Sequence, residues 1–82
     1  MNAPDIIRDI VEKQGIQFSA ICSYLKINKS TLSERLRQRN PSVEKMSEML
    51  QALDYKLVAV PANTTLQDGW YDVEIEPNAK KE

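Results

Sequence analysis

The sequence predicts a mostly α domain with a small C-terminal β element: four helices within residues 1–54, two strands within 55–77, and a polar tail at 78–82. Three observations lead there. Apolar residues recur at helical spacing from Ile6 to Leu53. Turn and cap residues interrupt that pattern at Gly15, at Asn28 and at Pro41–Ser42. Beyond Asp54 the period shortens toward two, in segments rich in β-branched and aromatic residues.

In the first helix, "APDIIRDIVEKQG", Ile6, Ile7, Ile10 and Val11 form an i, i+3, i+4 stripe, Pro4 suits a first turn and Gly15 a stop. "FSAICSYLK" repeats the stripe with Phe18, Ile21, Cys22 and Leu25, and "INKS" ends it with Asn28, a residue able to cap the next helix. The third helix, "KSTLSERLRQR", keeps only Leu32 and Leu36 as apolar members, so one narrow side is buried and a polar face is exposed. "NPSVEKMSEMLQALD" opens with Pro41 and Ser42, and sets Val43, Met46, Leu50 and Leu53 on one side with Met49 beside them. "YKLVAV" and "WYDVEIE" then read as strands, joined by the nine residues "PANTTLQDG" as a long-looped hairpin or lying apart. Trp70 and Tyr71 fall on opposite faces, one toward the core and the other exposed or interfacial.

Eighty-two residues with 41% apolar content support one small domain, of a size that often gains stability from a partner subunit. There is no histidine and Cys22 has no second thiol, which excludes the usual zinc sites, disulfide frameworks and Cys/His or Ser/His catalytic pairs. Cys22 itself reads as a small buried apolar residue. No cofactor is expected, and the carboxylates show no convergent acid/base arrangement, so the chain reads as a non-enzyme. Neither a secretion signal nor a membrane span is evident, and a cytoplasmic location is expected.

The net charge of −1 conceals a segregation of charge. Residues 26–45 hold six cations against two anions, whereas residues 46–82 hold three against seven. Local density of this kind governs attraction to a polyanion. Two short helices joined by about four residues, the second weakly amphipathic and basic, are what a major-groove reader requires. If the third helix spans about 29–37, then Lys29, Ser30, Ser33, Glu34 and Arg37 project from one surface, with Asn28 able to add its amide. Lys29 and Arg37 suit either guanine or phosphate. Glu34 would pair with Arg37 at i+3 or accept from a cytosine amine. Arg35, Arg39 and Asn40 lie where the chain would meet a phosphate backbone.

The run "ICSYLKINKSTLSERLRQRNPSVEKMSEMLQALDYKLVAVP" resembles the helix-turn-helix family of phage Cro and repressor proteins, in particular short regulators with a final "LGYxLVxVP"-type strand. The likeness covers residues 4–61, and "GWYDVEIE" is similar to a second strand in some members. It implies a lambda-repressor-like helical domain and a dimeric, sequence-specific repressor of phage or mobile-element origin. The recognition positions fall on Lys29, Ser30, Ser33, Glu34 and Arg37, and Gln17 and Lys26 join the phosphate-contacting set. The chain also departs from the pattern. Gln17 and Phe18 stand where Ser or Thr followed by a phosphate-binding Gln is usual, Cys22 replaces the usual Ala, Lys26 the usual turn Gly, and Arg35 an often apolar residue.

The strand segments carry more apolar surface than a two-stranded sheet on one helical layer needs. Leu57, Val58, Val60, Trp70, Tyr71, Val73 and Ile75 are therefore expected to build a homodimer interface, with Asp72, Glu74 and Glu76 turned away from DNA. The expected partners are double-stranded DNA and a second copy of the chain. A protein partner, a toxin or an antirepressor, is the further candidate. In the alternative reading the chain is an antitoxin-like protein that binds a toxin through its acidic C-terminal half and DNA only for autoregulation. A protein interaction module with no DNA role is the third.

Overall fold

The structure, a computed structural model, describes residues 1–75. These form four helices, α1 (Ala3–Gln14), α2 (Phe18–Leu25), α3 (Lys29–Arg37) and α4 (Val43–Ala52), followed by an irregular segment over 55–75. Most boundaries have a local cause, although α2 starts at Gln17 without a side-chain cap. Asn2 caps α1 by accepting from the Asp5 amide at 3.0 Å, and Pro4 occupies a first turn that has no use for its missing N–H. Gly15 ends α1 at φ 68°, a left-handed conformation open to a residue without Cβ. Asn28 caps α3 through the Thr31 amide at 2.8 Å, and Ser42 caps α4 through the Lys45 amide at 3.1 Å.

The core gathers Ile6, Ile7 and Ile10 of α1, Ile21 of α2, Leu32 of α3, and Met46, Met49, Leu50 and Leu53 of the α4 region. Fully burying an aliphatic side chain of this kind contributes about 1.5–3 kcal/mol, so these stripes decide how the helices pack. Two helix-opening residues depart from the predicted stripes. Val43 is 72% exposed and Phe18 is 38% exposed. Each is the first residue of its helix, and burial begins one turn later, at Met46 and Ile21. Cys22 is half-buried at the edge of the core and not enclosed by it.

The hairpin expected from "YKLVAV" and "WYDVEIE" does not form between these segments in the described residues. Residues 56–60 make no backbone–backbone hydrogen bond among the described residues, and 70–75 makes one isolated parallel bridge, Asn2 to Glu74. Glu76 and the expected tail lie outside the described residues. The second segment instead uses its backbone at the start of α1, where the Glu74 amide donates to the Met1 carbonyl at 2.9 Å. Leu57, Tyr71 and Val73 pack against the core. The Tyr55 hydroxyl donates to the Gly69 carbonyl at 3.0 Å and holds the ends of the loop together. The Schellman closure after α4 uses Asp54 at φ 64°, with the Tyr55 amide donating to the Leu50 carbonyl at 2.9 Å.

Candidate nucleic-acid interface

The α2–α3 corner is built by one tight turn. Lys26 adopts φ 58° and ψ 45°, which reverses the chain after α2, and the Ile27 amide closes the turn on the Cys22 carbonyl at 3.0 Å. Ile27 packs against the core and Asn28 starts α3 at once, so the two helices stay tied to one apolar layer. A non-glycine residue in this conformation costs about 1 kcal/mol or more, so a local strain accompanies the corner.

On α3 the buried and exposed sides are sharply divided. Leu32 is enclosed and Leu36 half-buried, whereas Asn28, Lys29, Ser30, Ser33, Glu34 and Arg37 are all exposed. Those six are the residues expected to read bases. Arg37 Nη2 lies 2.5 Å from Glu34 Oε1, so the i, i+3 pairing is made in the free chain. Lys29 has no hydrogen-bond or ion-pair partner among the described residues.

The residues expected at phosphate divide differently. Gln17, Lys26 and Arg39 are exposed and Asn40 is half-buried. Arg35 turns away from the others. Its Nη1 donates to Glu48 Oε1 on α4 at 2.9 Å, and its side chain is only 15% exposed. Its stem packs and its charge is matched inside the fold, which makes it a tie between α3 and α4. A second tie comes from Arg8, whose Nη2 donates to the Leu36 carbonyl at 3.3 Å and Nη1 to Asp5 at the same distance. Sequence reasoning missed Arg8. The signal available was a cation on the exposed side of α1 facing the C-terminal end of another helix, where carbonyls lack partners.

No family model, characterised protein or solved structure matches the chain. Among the described residues no helix is long and apolar enough to cross a membrane, and no group of three His, Cys, Asp or Glu side chains converges as a metal site would.

The residues expected at a dimer interface separate by face. Leu57, Tyr71 and Val73 point to the core, while Val58, Val60, Trp70 and Ile75 are exposed. Leu66 joins the exposed group and, with Val58, Val60 and Trp70, lines an open apolar groove of about 520 Å³ against α1 and α4. Tyr71 anchors that region to α1. Its hydroxyl donates to Asp9 Oδ2 at 2.6 Å, Lys13 Nζ lies 3.1 Å from the same oxygen, and the ammonium sits 5.6 Å from the Tyr71 ring centre. The Tyr71 hydrogen bond, then Lys13, holds the Asp9 carboxyl below the usual aspartate range. The same hydrogen bond, then burial, pushes the Tyr71 phenol up, and Asp9 raises Lys13.

Proposed function

We propose that this chain is a sequence-specific DNA-binding transcriptional regulator, a repressor of phage or mobile-element type, that lays α3 in the major groove. In this reading α1–α4 form a lambda-repressor-like helix-turn-helix domain, and the segment after Asp54 supplies strands that pair across a homodimer. The observation that carries it is the division of α3. One narrow side is fixed in the core, and the opposite side offers Lys29, unpaired among the described residues, two serines and an exposed arginine–glutamate pair. A helix so arranged meets base edges and phosphates without giving up core contacts.

Homodimerisation is supported by the groove lined with Val58, Val60, Leu66 and Trp70, and by the backbone of residues 56–60, which is unpaired among the described residues and open to another strand. Two copies related by a two-fold axis would set their α3 helices about 34 Å apart on successive major grooves. The test is selection from a randomised duplex pool at roughly physiological salt, where sequence-blind binding is weakened. An enriched inverted repeat is the expected result. No enrichment by a folded protein would overturn the assignment.

A further inference from the structure

A second crevice, of about 300 Å³, lies between α2 and α3, with Arg8 of α1 also on its wall. Its deeper lining is apolar, from the buried Leu32 and the half-buried Cys22 and Leu36. Phe18, Ser19, Lys29 and Ser33 stand exposed at its mouth, together with Arg8, whose guanidinium is tied to Asp5 and to the Leu36 carbonyl. Lys29 and Ser33 belong to the face of α3 described above, so the crevice opens onto that same surface. Phe18 is the feature that core packing leaves unexplained. It is the first residue of α2, its ring is partly in water, and it lines the same crevice as Lys29 and Ser33 of the exposed face of α3.

The major groove of B-DNA displays donors, acceptors and one apolar group, the C5 methyl of thymine. We propose that this crevice receives a thymine methyl, with Phe18 and Cys22 as specificity-determining residues next to Lys29. The proposal rests on the DNA-binding reading of α3 and adds to it which base the apolar part of the surface selects. The chemistry at the mouth fits the occupant. Lys29 supplies a cation without a side-chain partner among the described residues, at the point where a nucleotide would bring its phosphate or a neighbouring guanine edge. The phenyl ring and the cysteine side chain supply apolar surface that a methyl group would cover.

The experiment starts from the half-site enriched by selection and replaces its thymines one at a time by deoxyuridine, which removes only the methyl group. Titrations with the full chain then read the affinity of each duplex. One position is expected to lose about fourfold per half-site, the transfer of a single methyl group out of the apolar crevice and into water. The same substitution is expected to make no difference to Phe18→Ala, which separates a contact in the crevice from an effect of the methyl on DNA stiffness. A half-site without thymine, indifference to every uracil substitution, or a uracil effect that persists in Phe18→Ala would each overturn the inference while leaving the DNA-binding reading in place. Failure to enrich any site would instead remove the reading beneath it.

Discussion

Arg37→Ala separates folding from recognition on α3. In the free chain Arg37 pairs with Glu34, yet the two side chains remain 71% and 64% exposed. An i, i+3 pair in that setting contributes about 0.2–0.5 kcal/mol, and the higher helix propensity of alanine offsets part of it. The melting temperature should therefore move by less than about 4 °C. Recognition should respond far more. If Arg37 makes a bidentate contact to guanine, each half-site loses about 1–3 kcal/mol, and a dimer on two half-sites loses roughly 30-fold to 10⁴-fold at its operator. If it meets phosphate, affinity falls alike on all sequences and the salt slope drops by about one per contact. Fluorescence anisotropy with the selected operator, a guanine-substituted operator and a random duplex, each at several salt concentrations, distinguishes the two. Wild-type affinity and salt slope on all three duplexes would refute the placement of Arg37 on the reading face. A fall in melting temperature beyond about 10 °C would refute the claim that the pair is incidental to folding.

Lys26→Gly and Asp54→Gly each relieve a left-handed backbone at a side-chain-bearing residue and should raise stability by up to about 1 kcal/mol, or roughly 4–8 °C in melting temperature. Only Lys26→Gly should also lower the salt slope of DNA binding. Arg35→Ala should cost about 1–2 kcal/mol by stranding Glu48 and removing a packed stem, with denaturant titration showing a lower midpoint and an unchanged slope. The clasp of Tyr71, Asp9 and Lys13 has a defined pH window. Asp9 titrates low in the folded chain, so its contribution is present above the ordinary aspartate value and is lost as acid protonates it. Tyr71 and Lys13 titrate high, so theirs is present below about pH 10 and is lost as alkali deprotonates them. Emission of the single Trp70, next to Tyr71, should stay level between those limits and shift outside them, and Tyr71→Phe should weaken the alkaline shift.

The helical half was readable because its signals are local. Caps at Asn28 and Ser42, a left-handed glycine and three inward stripes are written within a few residues of where they act, and Asn2, a cap the sequence reading did not name, acts over the same short range. What the pattern could not give was direction at helix openings. Phe18 and Val43 fit their stripes by spacing, but the first turn of each helix extends past the layer it packs on. Arg35 was legible as a misfit in an apolar position, yet its partner Glu48 lies on another helix, and no periodicity reports an interhelical pair. The C-terminal segment read as two strands, paired as a hairpin or lying apart, because β-branched and aromatic residues favour any half-buried extended chain, and that pattern does not say which backbone a strand would pair with. Leu57, Tyr71 and Val73 were expected at an interface between copies and instead pack on the core of their own chain, because an apolar side chain in an extended segment reports that it is covered and not by what.

The ties on α3 bear on the functional reading. The helix is held by Leu32 in the core, by Arg35 to Glu48 on α4, and by its Leu36 carbonyl to Arg8 on α1. None of these contacts uses Lys29, Ser30, Ser33 or Arg37. The structural and the exposed duties of α3 thus fall on different residues, and the exposed ones can change with little cost to the fold. A surface of that kind suits a protein whose partner is specified by a few side chains on a rigid helix, since a fixed backbone limits the entropy lost when those side chains engage. The local net charge supports the same conclusion. The cations concentrate on and around α3, while Asp68, Asp72 and Glu74 lie in the segment that folds back onto α1. A polyanion approaching α3 therefore meets the basic part of an otherwise mildly acidic chain, and the acidic segment is held to a different helix.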